Sequence, residues 1–185
     1  MSDDTLADWL AAEAALLQRQ RDRGQPATGG LGDALRLSRL SGIEQLRLMI
    51  DGEMPVPPIA HTMDFWLLEV AEGRAVFQGA PQFKHFNPIG SVHGGWFATL
   101  LDSALGCAVH STLQVGERYT TLELKLNLVR AIADGEPRRL RAIGTVRHRG
   151  RQMATAEADL LGPDGKLYAH GSTTCLVFPP RFSAG

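Results

Sequence analysis

The chain has 185 residues, 44% hydrophobic and 21% charged. That suffices for one globular domain of about 100–150 residues with a buried core, plus an extension. A formal net charge of -1 gives no broad field to gather nucleic acid or an acidic membrane, so an anionic ligand must be held by local groups.

The opening MSDDTLADWL is acidic where a secretory signal would be basic, and no apolar run reaches about 18 residues, so the expectation is a cytoplasmic protein without a membrane span. Leu6, Trp9, Leu10, Ala14 and Leu17 recur at helical steps, predicting a helix over residues 4–22 that Gly24 ends. GQPATGGLG, residues 24–32, has loop composition, and a second helical pattern runs through Leu35, Leu40, Ile43, Leu46 and Met49. Within it Ser41 and Glu44 have capping-box spacing, so the stable helix is expected to start there and stop near Gly52. PVPP then forces an extended turn. Residues 1–58 are expected to form a helical extension and residues 59–180 the functional domain.

From Ile59 the pattern becomes strand-like. HTMDFWLLEV and RAVFQGA flank AEG and read as a hairpin with Gly73 at its turn. Next comes the longest apolar stretch, residues 94–109, read as a buried helix whose only charged side chain is Asp102. In TTLELKLNLV, Leu122, Leu124, Leu126 and Leu128 alternate with polar residues, predicting a strand with one buried face. RRLRAIGTVRHRG, RQMATAEADLLG and KLYAHGSTTCLVF supply three more strands, the last two joined by the turn GPDG. The order is two strands, a helix and four strands. A helix apolar all round needs cover on several sides, so a curved antiparallel sheet and then a second subunit are expected to wrap it, making a homodimer at least. The two cysteines, Cys107 and Cys175, read as reduced, buried thiols, and neither they nor the histidines have metal-ligand spacing.

A carboxylate on such a helix requires hydrogen bonds, a raised pKa or a cavity admitting water or ligand. Ala98 and Gly106, four residues to either side, are small and leave room above Asp102. Two kinds of reading stand: a catalytic carboxylate, or a structural one, as a core aspartate bonded to a neighbouring strand or tyrosine or as a solvated groove residue. His93, Gly94 and Gly95 open the same helix. Glycines permit close approach to the backbone, and the first helical amides lack internal acceptors, which suits a carbonyl oxygen gaining negative charge. The other reading there is a tight glycine turn with His93 as cap. Gly94 and Asp102 are eight residues apart, about 12 Å along one helix, so both can reach one carbonyl only if two copies pack antiparallel across a dimer axis.

The run NPIGSVHGGWFATLLDSALG resembles the hallmark of hot-dog-fold acyl-CoA thioesterases, in the branch of the phenylacetate-pathway thioesterase and one type of hydroxybenzoyl-CoA thioesterase. The likeness continues through TTLELKLNLVR, VRHRGRQMATAEADL and GKLYAHGSTTCLVF, covering about residues 60–178. It implies an α+β hot-dog fold, with a long central helix wrapped by the sheet, and hydrolysis of an acyl-CoA to a carboxylic acid and free CoA. Asp102 would be nucleophile or general base, and the Gly94 amide would polarise the carbonyl. His93 would support that end, Asn87 would place the water or thioester, and Thr121 would assist from the following strand. No separate cofactor or metal is implied, and relatives are commonly dimers of dimers. Two departures stand out: NLVRAI lacks the aromatic residue and proline that often flank the Arg, and Gly106 replaces a hydroxyl residue of some relatives.

Substrate contacts are expected at Gly95 and Trp96, with Phe97, Phe83 and Phe86 as further acyl-pocket candidates, each also readable as ordinary core. Arg130, Arg149 and Arg151 are candidates for the CoA phosphates; an edge strand protected by charge fits the arginines equally. The competing functions are a hot-dog hydratase or dehydratase and a non-catalytic acyl-CoA-binding module.

Overall fold

The computed structural model describes residues 2–132 and 139–180. Its organising element is α5 (Gly94–His110), and Trp96, Phe97, Leu100, Leu101, Leu105 and Val109 on it are all buried. Burying each of the three leucines stabilises the fold by about 1.5–3 kcal/mol relative to leaving it exposed.

Six strands wrap this helix: β1 (Phe65–Ala71), β2 (Arg74–Gly79), β3 (Arg118–Leu128), β4 (Leu140–Arg149), β5 (Met153–Leu161) and β6 (Leu167–Phe178). They form one sheet in the order β1-β2-β4-β5-β6-β3, with every neighbouring pair antiparallel. The architecture is the expected α+β hot-dog fold. Small residues line the inner face where strand and helix touch: Ala142, Ala154 and Ala156 are buried, and a Cβ on Gly144 would lie 2.2 Å from the Ala104 carbonyl oxygen. The hairpin turns through Glu72 and Gly73, which has φ +71°, and GPDG turns with Gly165 at φ +75°.

Two expectations on strand limits change. Residues 61–64 are not strand: α4 (Pro58–Met63) precedes β1. Pro58 fits the first turn of a helix, where its missing N–H costs nothing, and Asp64 leaves the helix in the left-handed region at φ 51°. The leucine alternation in β3 is interrupted by a bulge between Thr121 and Glu123, which leaves Leu122 58% exposed. Arg138, at the start of the fourth expected strand, lies outside the described residues.

The extension folds onto this body. It contains α1 (Ser2–Asp22), α2 (Ala34–Leu37) and α3 (Gly42–Ile50). The second helical pattern is therefore split: Asp33 caps α2 through its side chain, and α3 restarts where the Glu44 carboxylate accepts from both the amide and the hydroxyl of Ser41. Leu16, Leu46, Val56 and Ala60 join the same hydrophobic cluster as α5. α1 covers the outer sheet face, where the Gln78 side chain, fully buried, donates to Trp9 O at 2.9 Å and Glu13 Oε2 at 2.7 Å and accepts from Arg141 at 2.9 Å. α3 butts against the end of α5: the Gly42 amide donates to Leu113 O, and a Cβ on Gly42 would collide with the His110 carbonyl. Burial pushes the His110 imidazole down to about 4, so it sits there neutral beside Gln45.

Candidate active site

Asp102 is half-buried at the middle of α5, and the β3 bulge is what gives it a partner. The extra residue, Leu122, changes the strand's phase, so that Tyr119 and Thr121 before it and Leu124 and Leu126 after it are all the more buried positions. Thr121 Oγ1 donates to Asp102 Oδ1 across 3.4 Å, a long contact that leaves the carboxylate free to engage something else. Burial raises the Asp102 pKa, and the Thr121 hydrogen bond opposes that by stabilising the charged form.

The carboxylate borders a cavity of about 210 Å³. Ser103 and Cys107 line it from α5, and Tyr119 and Thr121 from β3. Phe65, Leu67 and Phe77 line it from the hairpin. Its remaining wall comes from the extension and α4: Met49, Val56, Pro57, Ile59 and Ala60. Burial pushes the Cys107 thiol up to about 12, with the Asp102 charge adding to the effect, so it remains protonated. Gly106 is explained by Tyr119, since a Cβ there would lie 2.6 Å from the Tyr119 hydroxyl.

At the start of the helix, His93 is the N-cap, its Nδ1 accepting from the Gly95 amide at 2.8 Å while its carbonyl accepts from Trp96 at 2.9 Å. The Gly95 amide is thereby occupied, whereas the Gly94 amide has no acceptor among the described residues. Gly94 packs beneath Leu128, whose Cδ1 would sit 3.1 Å from a Cβ at that position. Asn87 builds the approach: its Oδ1 accepts from the amides of Ile89 and Ser91, each at 3.1 Å, and its Nδ2 donates to Ser91 Oγ at 2.9 Å. One protomer thus gathers Asp102 with Thr121, and separately Asn87, His93 and Gly94, about 12 Å apart along the helix.

The expected substrate contacts are scattered. Trp96 is 1% exposed, donates from Nε1 to Met63 O at 2.8 Å and packs edge-on against Phe97. Neither lines the cavity, because a large ring opening the helix is drawn into the core. Phe83 is 81% exposed and stacks on Phe86, also away from the cavity. Arg149 is ion-paired with Glu117 at 2.6 Å, one residue before β3, whereas Arg130 lies beyond the far end of β3 over the Tyr168 ring. Strand rise separates these ends by about 33 Å, so one chain does not bring the two arginines together. Arg151 is exposed in the turn before β5.

The aromatic lining of the cavity, Phe65, Phe77 and Tyr119, was missed. Tyr119 was within reach of sequence reasoning, because it shares strand parity with Thr121 two residues on. Nothing local marks Met49 or Ile59. Among the described residues no group of three or more His, Cys, Asp or Glu side chains could hold a metal ion, and no helix is long and apolar enough to cross a membrane.

Residues 89–169 match the family model described as the Thioesterase superfamily. The Caenorhabditis elegans protein F42H10.6, named provisionally as an esterase, is 29% identical over 117 residues, covering 63% of this chain and 68% of that protein. A mutant of the phenylacetic acid degradation protein PaaI from Thermus thermophilus superposes with a TM-score of 0.58 at 26% identity, over 64% of this chain and 97% of that one. A hypothetical thioesterase from Streptococcus pneumoniae, solved with coenzyme A, gives a TM-score of 0.57 at 24% identity, over 64% and 89% of the two chains. Residues 89–169 of this chain are therefore similar to the Thioesterase superfamily, and the chain has a hot-dog fold.

Proposed function

We propose that the protein is an acyl-CoA thioesterase, releasing a carboxylic acid and free CoA, in the branch that includes the phenylacetate-pathway enzymes. The observation carrying this reading is a weakly bonded carboxylate, Asp102, bordering an apolar cavity on the helix whose first amide, Gly94, has no acceptor among the described residues. The superfamily match and the coenzyme A held by the pneumococcal relative support the substrate class.

Two copies of α5 packed antiparallel bring the Gly94 amide of one protomer to the Asp102 of its partner, giving two equivalent sites per homodimer. The amide and helix dipole stabilise the oxyanion formed when the thioester carbonyl is attacked. Asp102 attacks directly or removes a proton from the attacking water, and its raised pKa makes it a better base than a solvated carboxylate. A thioester is already activated, so no metal or serine is required. Thr121 holds the carboxylate's rotamer and moderates its basicity. His93 and Asn87 act indirectly, by fixing the cap and the loop that present Gly94.

The test is thiol release from a panel of acyl-CoAs, measured with a thiol reagent. Asp102→Asn, which keeps side-chain size, loses about 10²–10⁴-fold in turnover with the fold unchanged by circular dichroism. Undiminished hydrolysis in that variant removes Asp102 from the chemistry. Binding of acyl-CoA without thiol release favours a binding module, and hydration of an enoyl-CoA a hydratase.

A further inference from the structure

The chemistry gives the first 57 residues no task, and they lie outside the superfamily match. The structure nevertheless fixes one part of them from behind. Arg19 Nε donates to Ile50 O at 2.9 Å, and Gln20 Nε2 to Met49 O at 2.6 Å and Met54 O at 3.3 Å. Gln25 Nε2 donates to Gly52 O at 2.8 Å, and the Gly30 amide to Val56 O at 2.9 Å. Gly29, at φ +77°, packs so closely that a Cβ there would lie 2.6 Å from Val56 O. The segment held in this way contributes Met49, Val56 and Pro57 to the Asp102 cavity, and Ile59 follows on α4.

We propose that the extension, with α4, forms the specificity wall of the thioester site: Met49 and Val56, pinned by α1 and its following loop, and Ile59 on α4 close the acyl end of the Asp102 cavity and select a compact apolar acyl group. The inference rests on the acyl-thioester reading of that cavity. Its size follows from the volume: about 210 Å³, below the usual range of small-molecule pockets, suits a branched, cyclic or short straight acyl group better than the tail of a long fatty acyl chain. Phe65 and Phe77 on the opposite side make the lining apolar. Rigidity matters as much as size, because a wall free to swing would admit longer chains at little cost.

Thioether analogues of CoA, which cannot be hydrolysed, separate this inference from the catalytic one. Titrated into the full chain, S-hexyl-CoA binds about tenfold or more tightly than S-dodecyl-CoA. Ile59→Ala and Met49→Ala narrow that ratio about fivefold by enlarging the cavity, and Ile59→Trp weakens S-hexyl-CoA by a similar factor while free CoA binds unchanged. Ile59 is 46% exposed, so its variants keep the fold even where Met49→Ala does not. Gln20→Ala, whose side chain touches no ligand, narrows the ratio in the same direction by releasing Met49. Equal binding of the two thioethers by the wild type, or a ratio unmoved by the Ile59 variants, overturns the wall. Length-selective binding that follows the variants, without thiol release from any acyl-CoA, supports the wall and sinks the hydrolase reading instead.

Discussion

β2 and β3 lie toward opposite sides of the sheet and are finished in opposite ways. β2 is buried along nearly its whole length, with α5 on one face and α1 on the other. β3 is an edge strand of 11 residues with mostly exposed positions, including Leu122 at 58% and Leu128 at 53%, followed by Val129 at 55%. A long edge with apolar side chains is a template for another strand. The difference teaches that the chain's own extension completes one side, supplying a wall of the cavity, while the side carrying Thr121 stays open, which is where the proposed shared site would seat a second copy.

The largest effect expected from breaking this asymmetry is at the open side. The double variant Leu122→Lys, Val129→Lys places charge on exposed positions, so each protomer still folds, but light scattering should find the mass of one chain and thiol release should fall about 100-fold as Gly94 and Asp102 part. Full activity in a monomeric variant breaks the shared-site proposal. On the sealed side, Glu13→Ala leaves the buried Gln78 amide with one fewer acceptor and takes the carboxylate from Arg139. A loss of about 1–3 kcal/mol in urea unfolding is expected, with the dimer intact. The smallest effect is electrostatic. Asp102 has a raised pKa, so its protonated form favours the fold, and that contribution is present at acid pH and lost as pH rises through the folded value. Asp102→Asn should therefore be more stable than wild type at alkaline pH, the advantage fading on acidification. The acid limb of the pH–rate profile reports the same group, and Thr121→Val should move it to higher pH by removing the bond that favours the carboxylate.

Much of the fold was legible because its signals are local. The apolar run of α5, the Ser41–Glu44 pair, the Gly73 hairpin and the GPDG turn each carry their own periodicity or turn chemistry. Strand limits were less so: Pro58 both ends an extended segment and opens a helix, and the bulge at Leu122 leaves no mark in an unbroken leucine alternation. In the candidate site, Asp102 and Thr121 were named separately from a likeness to known sequences, and the 3.4 Å contact between them is visible only in the coordinates. The arginines were less legible still: a bulge at Val146–His148 changes the phase of β4, and neighbouring carboxylates claim Arg139, Arg141, Arg147 and Arg149.

By itself the sequence determined the two-strand, helix, four-strand order and a carboxylate on an apolar helix, because periodicity and desolvation are properties of neighbouring residues. Only the tertiary structure decided what surrounds that carboxylate. Met49, Ile59, Phe77 and Tyr119 meet at one cavity although they are spread over 71 positions, since long-range packing brings together side chains whose local patterns say only that they are apolar.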